Sequence, residues 1–430
     1  MATAIEGLTE FQGTVERMAT TIQRLEARGA ARSDIYFWKC LKNYYQGCLE
    51  ASQAGKPLAV TGMFPPHELL RAMDIPYYVA ENHAIMSVQN APETGPKLFE
   101  KAEAYGVGAD VCAPHRASVG IGLLGQQLRP SFIISTSTTC DQTLMLYEIL
   151  ADFYQVPRYT LDSPFKVDHR GLAYSTQDTR GLISFLEEQT GRKLDMERLK
   201  EVLRLSKQCY DHWEKLNQLR KAVPCPIGGR ASVKDLTLTV TSVGTPEAVE
   251  YFKARYQELS EAVAQKKGAI PDERYRIAWL YVLPLHDLKI ADWLETEYGA
   301  VICIDTFGYP TRGIDLDPED PIGYLVKKPL KRGFTCQGYA DNQASGFVAE
   351  LSRLVKEYKA NIAIAMAHWS CQQYNGIMRM MKDEVQGKLG VPFFMLNGDL
   401  LDARVASSEQ MKSDLANFMS SVVGAKPLSS

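Results

Sequence analysis

Two blocks of the chain alternate between short apolar runs and stretches with helical periodicity. The first block has four apolar runs that predict strands, at 57–62, 75–80, 131–136 and 157–162. Apolar residues three or four positions apart predict the helices of this block, near 65–74, 96–106, 114–124 and 140–155. This alternation predicts a parallel sheet with helices on both faces.

The second block repeats the pattern. Its predicted strands are at 275–284, 300–307, 361–368 and 392–399. Its predicted helices lie near 287–298, 319–328, 343–358, 372–388 and 407–422. The expected fold class is therefore α/β, with two doubly wound, flavodoxin-like parallel sheets. Two such domains normally form a cleft lined by the carboxyl ends of their strands.

Helical patterns dominate the remainder of the chain. They cover the amino-terminal residues and most of 173–222, and the stretch "KAVPCPIGGR" at 221–230 then interrupts the helix with two prolines and two glycines. We predict four parts: an N-terminal helical segment at 1–55, a first α/β domain at 56–172, a helical connector at 173–230 and a second α/β domain at 231–430.

Composition narrows the possible partners and the compartment. The net charge of the 430 residues is −3, which favours neither nucleic acid nor an anionic membrane as a partner. No apolar run has the length of a membrane-spanning helix, and the first 30 residues read as a polar amphipathic helix without a signal-peptide core. The nine cysteines include no CxxC pair. We expect a cytoplasmic protein with free thiols.

Three cysteines stand where a helix is predicted to begin. Cys140 and Cys371 each follow an apolar strand, and Cys112 precedes a helix that starts with a proline. The helix dipole is expected to lower the pKa of a thiol at such a place, and thiolates are the ligands of soft metals and iron–sulfur clusters. Two of these residues come from the first domain and one from the second, so they are able to meet across the cleft.

The residues alone leave other interpretations open. A cysteine at a strand–helix junction often serves only packing. A catalytic cysteine paired with His368 or His115 is the competing functional interpretation. His368 lies three residues before Cys371 but within the predicted strand end, so its ring is not required to face that thiol.

Five segments of the sequence resemble one enzyme family. They are "FPPHELLRAMDIPYY", "KAEAYGVGADVCAPHRASVG", "FIISTSTTCDQTLMLYEILADFYQVPRYTLDSPF", "GTPEAVEYF" and "HWSCQQYNGIMRMMKDEVQGKLGVPFFMLNGDLLDAR". Together they span nearly the whole chain, and the order and spacing of the three cysteines match the family's ligand pattern. The chain resembles the 2-hydroxyacyl-CoA dehydratases and benzoyl-CoA reductases.

The resemblance implies a metal centre and its chemistry. A 4Fe–4S cluster held by Cys112, Cys140 and Cys371 would lie between the two domains with one iron left open. A separate ATP-hydrolysing iron–sulfur activator would deliver one electron of low potential to an acyl-CoA substrate. In a dehydratase, a lyase, that electron makes a ketyl radical of the thioester, after which the hydroxyl leaves; the oxidoreductase branch reduces an aromatic ring instead. The catalytic unit would contain a related second subunit or be a homodimer.

The resemblance also suggests accessory residues. His67 and Glu68 lie in the part expected near the substrate, where either is a candidate for proton transfer; alternatively Glu68 only complements a helix dipole. Arg116 is a candidate for contact with a CoA phosphate. Cys336 is a candidate extra ligand of a double-cubane cluster, as some relatives hold.

Two other functions stay open beside this enzyme. One is a cluster-bearing electron-transfer or scaffold subunit without its own substrate site. The other is a cysteine hydrolase, for which the sequence offers no convincing base and orienting residue. Within the enzyme interpretation, dehydration and ring reduction are not distinguished, and the acyl group is not identified.

Overall fold

The structure is a computed structural model and describes residues 2–138, 140–164, 168–310, 314–329 and 344–424. Cys336, the predicted extra ligand, lies outside these residues. Two parallel sheets of four strands form the framework. The fold class predicted from the sequence is thereby confirmed.

The first sheet has the order β2-β1-β3-β4. Its strands are β1 (Ala59–Thr61), β2 (Tyr77–Val79), β3 (Phe132–Thr136) and β4 (Arg158–Leu161). All residues of the first three strands are buried, which is why they form continuous apolar runs. β1 pairs in parallel with β2 on one side and with β3 on the other. The chain therefore changes direction across the sheet between β1 and β3.

The second sheet repeats this arrangement in the order β6-β5-β7-β8. Its strands are β5 (Tyr275–Leu280), β6 (Ala300–Asp305), β7 (Ile362–His368) and β8 (Phe393–Gly398). Its switch point lies between β5 and β7, which pair in parallel. Ligands in open α/β sheets bind at such switch points, beyond the carboxyl ends of the strands.

Helices flank the first sheet and link the two sheets. The N-terminal helices are α1 (Ala2–Ala27) and α2 (Arg32–Gln53). Those around the first sheet are α3 (His67–Ala72), α4 (Ala80–Asn90), α5 (Gly95–Tyr105), α6 (Ala113–Leu123) and α7 (Asp141–Tyr154). The linking helices are α8 (His169–Thr190), α9 (Met196–Leu219), α10 (Ser232–Thr241) and α11 (Pro246–Ala264). As its sequence predicts, α11 begins at a Thr245 cap, whose side chain accepts a hydrogen bond from the backbone N–H of Ala248.

The second sheet has its own helices. They are α12 (Lys289–Tyr298), α13 (Pro321–Lys327), α14 (Ala344–Glu357), α15 (Gln372–Lys382) and α16 (Ser408–Phe418). Short π-helical segments, Asp383–Lys388 and Met419–Val423, extend the last two. No helix among the described residues has the combination of length and apolarity that a bilayer crossing requires.

Two helices differ from the sequence-based expectation. The sequence pattern predicted neither α4 nor α10. The predicted strand at 275–284 ends at Leu280, so residues 281–284 form part of the loop beyond β5. All three differences lie at the carboxyl-end edge of the sheets, where the chain turns toward the space between them.

The apolar core crosses the predicted domain boundaries. One buried cluster contains Phe11 from α1, Ile133 from β3, Trp213 from α9 and Ile304 from β6. A second buried cluster joins helices α4, α5 and α6 of the first unit to the second sheet. The two sheets are thus packed against each other through shared helices, and the four-part division of the chain stays a prediction.

Candidate functional site

A cavity of about 840 Å³ lies between the two sheets. Loops that follow strands of both sheets line it, including those after β1, β3, β5 and β7. Its position is therefore the one that both switch points specify. Helices α4 and α10, absent from the sequence-based expectation, supply part of its wall.

Cys112, Cys140 and Cys371 all line this cavity. Each is the N-cap residue of a helix, respectively α6, α7 and α15, and none forms a side-chain capping hydrogen bond. Ser, Thr, Asp and Asn are the usual residues there, and lack of a cap costs about 1 kcal/mol. The helix starts thus gain nothing from these three thiols, which remain available to a ligand.

Exposure separates these three cysteines from the others. Among the eight cysteines that the structure describes, Cys112, Cys140 and Cys371 are partly exposed and the remaining five are buried. The five buried ones are Cys40, Cys48, Cys209, Cys225 and Cys303. Their burial fits the interpretation of small apolar packing residues.

The predicted effect of the helix dipole on the thiols is wrong. Burial raises the pKa of the Cys112 thiol well above its ordinary value, and the neighbouring Cys371 and Cys140 thiols raise it further. Burial also raises the pKa of Cys371, against hydrogen bonds that lower it. Desolvation of a thiolate and repulsion between neighbouring thiolates outweigh the helix dipole in the unliganded chain. The same repulsion indicates that the three sulfurs lie near one another.

Each thiol has a polar neighbour. The Sγ of Cys112 lies 3.4 Å from Nε2 of His368. The Tyr281 hydroxyl donates to the Sγ of Cys371 at 3.5 Å, and the Thr143 hydroxyl lies 3.4 Å from the Sγ of Cys140. Hydrogen bonds to sulfur of this kind tune metal–thiolate centres.

His368 is held rigidly behind Cys112. It ends β7 and is fully buried. Its Nδ1 lies 3.1 Å from Oδ2 of Asp399 and 3.2 Å from the backbone nitrogen of Leu400. Burial by itself raises the pKa of Asp399, but His368 and the backbone N–H groups of Leu401 and Asp402 outweigh it and hold that pKa far below its usual value.

The sequence did not anticipate this arrangement. Cysteine, histidine and aspartate in line are also what a thiol nucleophile needs. The partner of His368 is Cys112, 256 residues earlier in the chain, rather than the nearby Cys371. Only the packing of the two sheets brings the two residues together, so no local sequence pattern indicates it.

Arg116 does not face the cavity as a phosphate ligand. Its guanidinium is buried and bonds to Glu103 at 2.7 Å and to Asp402 at 3.1 Å. Arg404 also bonds both carboxylates. These ion pairs fasten α5 and α6 of the first unit to the loop after β8. A role in CoA binding would require that buried network to open.

His67 and Glu68 are buried at the start of α3 and are not among the residues that line the cavity. The His67 ring stacks on Tyr77, and its Nε2 lies 3.0 Å from the Thr61 hydroxyl. Glu68 accepts hydrogen bonds from Lys328 at 2.6 Å and from Ser206 at 2.7 Å. The structure thus separates both residues from the three cysteines.

A different carboxylate lines the cavity instead. Glu81 lies in the first turn of α4 and is 4 % exposed. Its Oε1 lies 3.5 Å from Nε2 of His115, and its Oε2 accepts a hydrogen bond from the Tyr147 hydroxyl. The sequence-based expectation missed Glu81 because it missed α4.

The residues present fit a cluster better than a single metal ion. Among the described residues, no three His, Cys, Asp or Glu side chains are placed to hold one metal ion. A single ion draws its ligands to one point, whereas each cysteine of a cubane binds a different iron and the sulfurs stand further apart. Three partly exposed thiols around one cavity, without a competing capping role, meet the second requirement.

The fold and the site define a two-sheet α/β protein with a thiol-lined cavity between the sheets. The family model of the 2-hydroxyglutaryl-CoA dehydratase D-component matches residues 62–422. The chain belongs to this family. The family predicted from the sequence is thereby confirmed, and so is an enzyme of the dehydratase or reductase type.

Individual relatives are distant but cover most of the chain. The (R)-phenyllactyl-CoA dehydratase alpha subunit of Clostridium sporogenes is 24 % identical over 378 residues, which cover 84 % of this chain and 88 % of the relative. A benzoyl-CoA reductase subunit of Thauera aromatica is 24 % identical over 386 residues, covering 83 % and 86 %. The lactoyl-CoA dehydratase alpha subunit of Anaerotignum propionicum is 24 % identical over 409 residues, covering 86 % and 93 %.

Proposed function

We propose that this chain is the iron–sulfur subunit of a radical enzyme that acts on CoA thioesters. The observation that carries the proposal is the convergence of Cys112, Cys140 and Cys371, from both α/β units, on one cavity. The family, with relatives named as dehydratases and as a benzoyl-CoA reductase, supports the substrate class. Both 2-hydroxyacyl-CoA dehydration and ring reduction fit the site.

The three thiols would hold a 4Fe–4S cluster. When bound, such a cluster supplies an electron of low potential and, at an open iron, a Lewis acid for a carbonyl or hydroxyl oxygen. The hydrogen bonds that His368 and Tyr281 direct at the thiols would set the charge on the sulfurs. The surrounding apolar wall would exclude water from the reacting thioester.

The cavity also indicates which acyl group enters. Its wall carries apolar side chains from α4, α10 and the loop after β5, including Ile85, Met86, Leu236 and Leu283. No Lys or Arg lines it among the described residues. An acyl group with a terminal carboxylate would lose its hydration there without gaining an ion pair. We therefore assign the cavity an uncharged aliphatic or aromatic acyl group.

Partners follow from the same chemistry. The relatives are named as single subunits of dehydratases and of a reductase, which supports a related second subunit or a homodimer for this chain. The low-potential electron would come from an ATP-hydrolysing iron–sulfur activator. A double-cubane centre that uses Cys336 remains the alternative cofactor.

His67 and Glu68 retain only an indirect part in this proposal. Since neither lines the cavity, proton transfer by either requires a relay through the cavity wall. The contact of His67 with Thr61, and those of Glu68 with Lys328 and Ser206, favour a role in fixing the α3 segment behind the wall.

Iron analysis after anaerobic purification and reconstitution tests the proposal. The wild-type chain should hold about four irons in one cubane. Cys112→Ala, Cys140→Ala and Cys371→Ala should each lose most of the iron. The matched control is Cys303→Ala, at a buried residue of β6, which should keep it. Iron-free wild-type protein, or retention of the full cluster in all three variants, would reject the proposal.

A cysteine hydrolase is the second candidate, and the line of Cys112, His368 and Asp399 favours it. The raised pKa of Cys112 opposes it, because the thiolate is the nucleophile. A hydrolase predicts thioester cleavage in air by iron-free protein and loss of that activity on alkylation. The proposed enzyme predicts turnover only with iron and reductant.

A subunit without a substrate site is distinguished by ligand binding. Anaerobic calorimetry with an uncharged acyl-CoA should show binding to the reconstituted chain if the cavity holds substrate. A scaffold or electron-transfer subunit would take up the cluster and show no heat of acyl-CoA binding.

A further inference from the structure

Glu81 is a buried carboxylate whose surroundings are unusual for a structural one. It lines the cavity, and no Lys or Arg among the described residues forms an ion pair with it. Asp305, another acidic residue of the lining, is by contrast paired with Arg220 at 3.2 Å. Buried carboxylates are normally paired with cations. Glu81 is held by a hydroxyl and an imidazole instead.

The Tyr147 hydroxyl stands between two acceptors. It lies 2.6 Å from the backbone oxygen of Thr61 and also within hydrogen-bond distance of Oε2 of Glu81. A phenol has one hydrogen, so it satisfies only one of these acceptors at a time. Burial and the charge of Glu81 raise the pKa of Tyr147 well above its ordinary value, so this hydrogen stays on the phenol.

This geometry accommodates both protonation states of Glu81. When the carboxyl is ionised, Tyr147 donates its hydrogen to Oε2. When the carboxyl is protonated, Oε2 donates to the Tyr147 oxygen, and the phenol turns its own hydrogen to the Thr61 oxygen. Every polar atom of the trio keeps a partner in either state, so the change of protonation leaves no buried group unsatisfied.

Resting on the proposed function, we propose that Glu81 is the catalytic residue that exchanges a proton with the substrate in the cavity, with Tyr147 as its positioning residue. The carboxyl is at the wall, on the same cavity as the three cysteines. His115, 6 % exposed and also in the lining, fixes the second carboxyl oxygen through its Nε2.

The step balances for a dehydration. After the one-electron reduction that the proposed function supplies, the Glu81 carboxylate takes a proton from the carbon next to the hydroxyl-bearing one. The C–H bond breaks, its electron pair stays on the substrate, and an O–H bond forms on Oε2. The proton then passes to the departing hydroxide, which leaves as water and restores the carboxylate.

The ionisable groups around Glu81 come from three places. They are His115 on α6, Tyr147 on α7 and the Cys112 thiol at the start of α6, whose pKa the charge of Glu81 helps to raise. An infrared assignment therefore has to come from substitution of Glu81 itself.

Glu81→Gln separates a proton-transfer role from a structural one. The amide oxygen of Gln still accepts from Tyr147, so a residue that only packs or positions would tolerate the change. We expect the reconstituted Glu81→Gln enzyme to lose turnover on the order of 100-fold with little change in KM, while its iron content and acyl-CoA binding are retained. Glu81→Asp should recover part of the loss. Turnover of Glu81→Gln within about threefold of wild type would overturn the proposal.

Difference infrared spectroscopy provides a readout that does not need turnover. As the pH is lowered, the wild-type protein should gain a buried carboxylic-acid C=O band that Glu81→Gln lacks and that Tyr147→Phe shifts, because Phe removes its acceptor. The same band in Glu81→Gln, or no such band in folded wild type, would overturn the proposal. If the wild type holds no cluster, the proposed function fails by iron analysis, and the infrared result still decides whether Glu81 takes up a proton against Tyr147.

Discussion

The imidazole Nε2 of His368 lies 3.4 Å from the Sγ of Cys112, although the two residues come from different sheets. The backbone N–H of Leu400 points at the Nδ1 of the same ring. A neutral ring that accepts there carries its hydrogen on Nε2, and a charged ring carries one on both nitrogens. In either case His368 donates toward the sulfur of Cys112.

Replacement of His368 by alanine should weaken the proposed cluster and lower its reduction potential. A hydrogen bond to a ligand sulfur stabilises the more negative, reduced state, so its removal makes reduction harder. Loss of such outer contacts typically costs 10- to 100-fold in metal affinity. Iron retention under a chelator and an EPR-monitored redox titration measure the two effects.

His169→Ala is the matched control, since His169 is exposed at the start of α8. It should match wild type in both measurements. An unchanged potential in His368→Ala with intact iron would show that the imidazole does not act on the cluster.

The buried pair of Glu68 and Lys328 should be a large contributor to stability when only one partner is removed. Glu68→Leu leaves the Lys328 ammonium buried without its carboxylate, and breaking such a pair costs about 3 to 5 kcal/mol. The double variant Glu68→Leu/Lys328→Met should unfold within about 2 kcal/mol of wild type, because both charges are gone. Denaturant unfolding of the three proteins measures this difference.

Turnover of the same double variant decides the role predicted for Glu68. Retained turnover with retained stability would show that Glu68 only fixes the structure. Loss of turnover in a stably folded double variant would support the predicted proton transfer.

The stability of the wild type should also depend on Glu68 as the pH falls. Burial alone raises the pKa of Glu68, but the charge and hydrogen bond of Lys328 and the hydrogen bond of Ser206 outweigh it and lower the pKa below 4.5. A lowered folded-state pKa gives stability that is present above the unfolded value and is lost as the pH falls through the folded value. The wild type should therefore lose free energy of unfolding below about pH 4.5 relative to Glu68→Leu/Lys328→Met. Parallel pH curves for the two proteins would contradict this.

Acyl-CoA binding should depend on the charge of the acyl group. A terminal carboxylate finds no described Lys or Arg in the cavity and meets the Glu81 carboxylate, so a dicarboxylic acyl-CoA should bind at least about tenfold more weakly than an aliphatic or phenyl acyl-CoA. Val233→Arg, on the cavity wall of α10, should reduce this difference, and Val233→Ile should not. Calorimetry with both ligands checks it, and equal affinities in wild type would contradict it.

The framework of this fold is readable from the sequence because its strands are buried on both faces. Runs such as that at 131–136 have no polar interruption, and the helices between strands keep one polar face. The three cysteines that line the cavity were also identified in this way, since each stands at the junction that strand and helix patterns define.

The cavity wall was harder to predict. The first residues of α4, from Ala80 to Ala84, are all buried, because they face the core and the cavity together. α10 begins directly after a glycine pair and has no side-chain cap. A helix without a solvated face or a cap lacks the signals on which sequence patterns depend. Glu81 was missed for this reason, and attention went to His67 and Glu68 instead.

Helices α6, α7 and α15 all start on a cysteine that gives its helix no hydrogen bond. In the proposed holoprotein, sulfur–iron bonds would anchor these ends in place of ordinary caps. Oxidative loss of the inorganic centre would then release three first turns together, in both halves of the molecule. Amide exchange at those turns would serve as a gauge of metallation, and damage by air would appear as fraying around the substrate's entrance before the core unfolds.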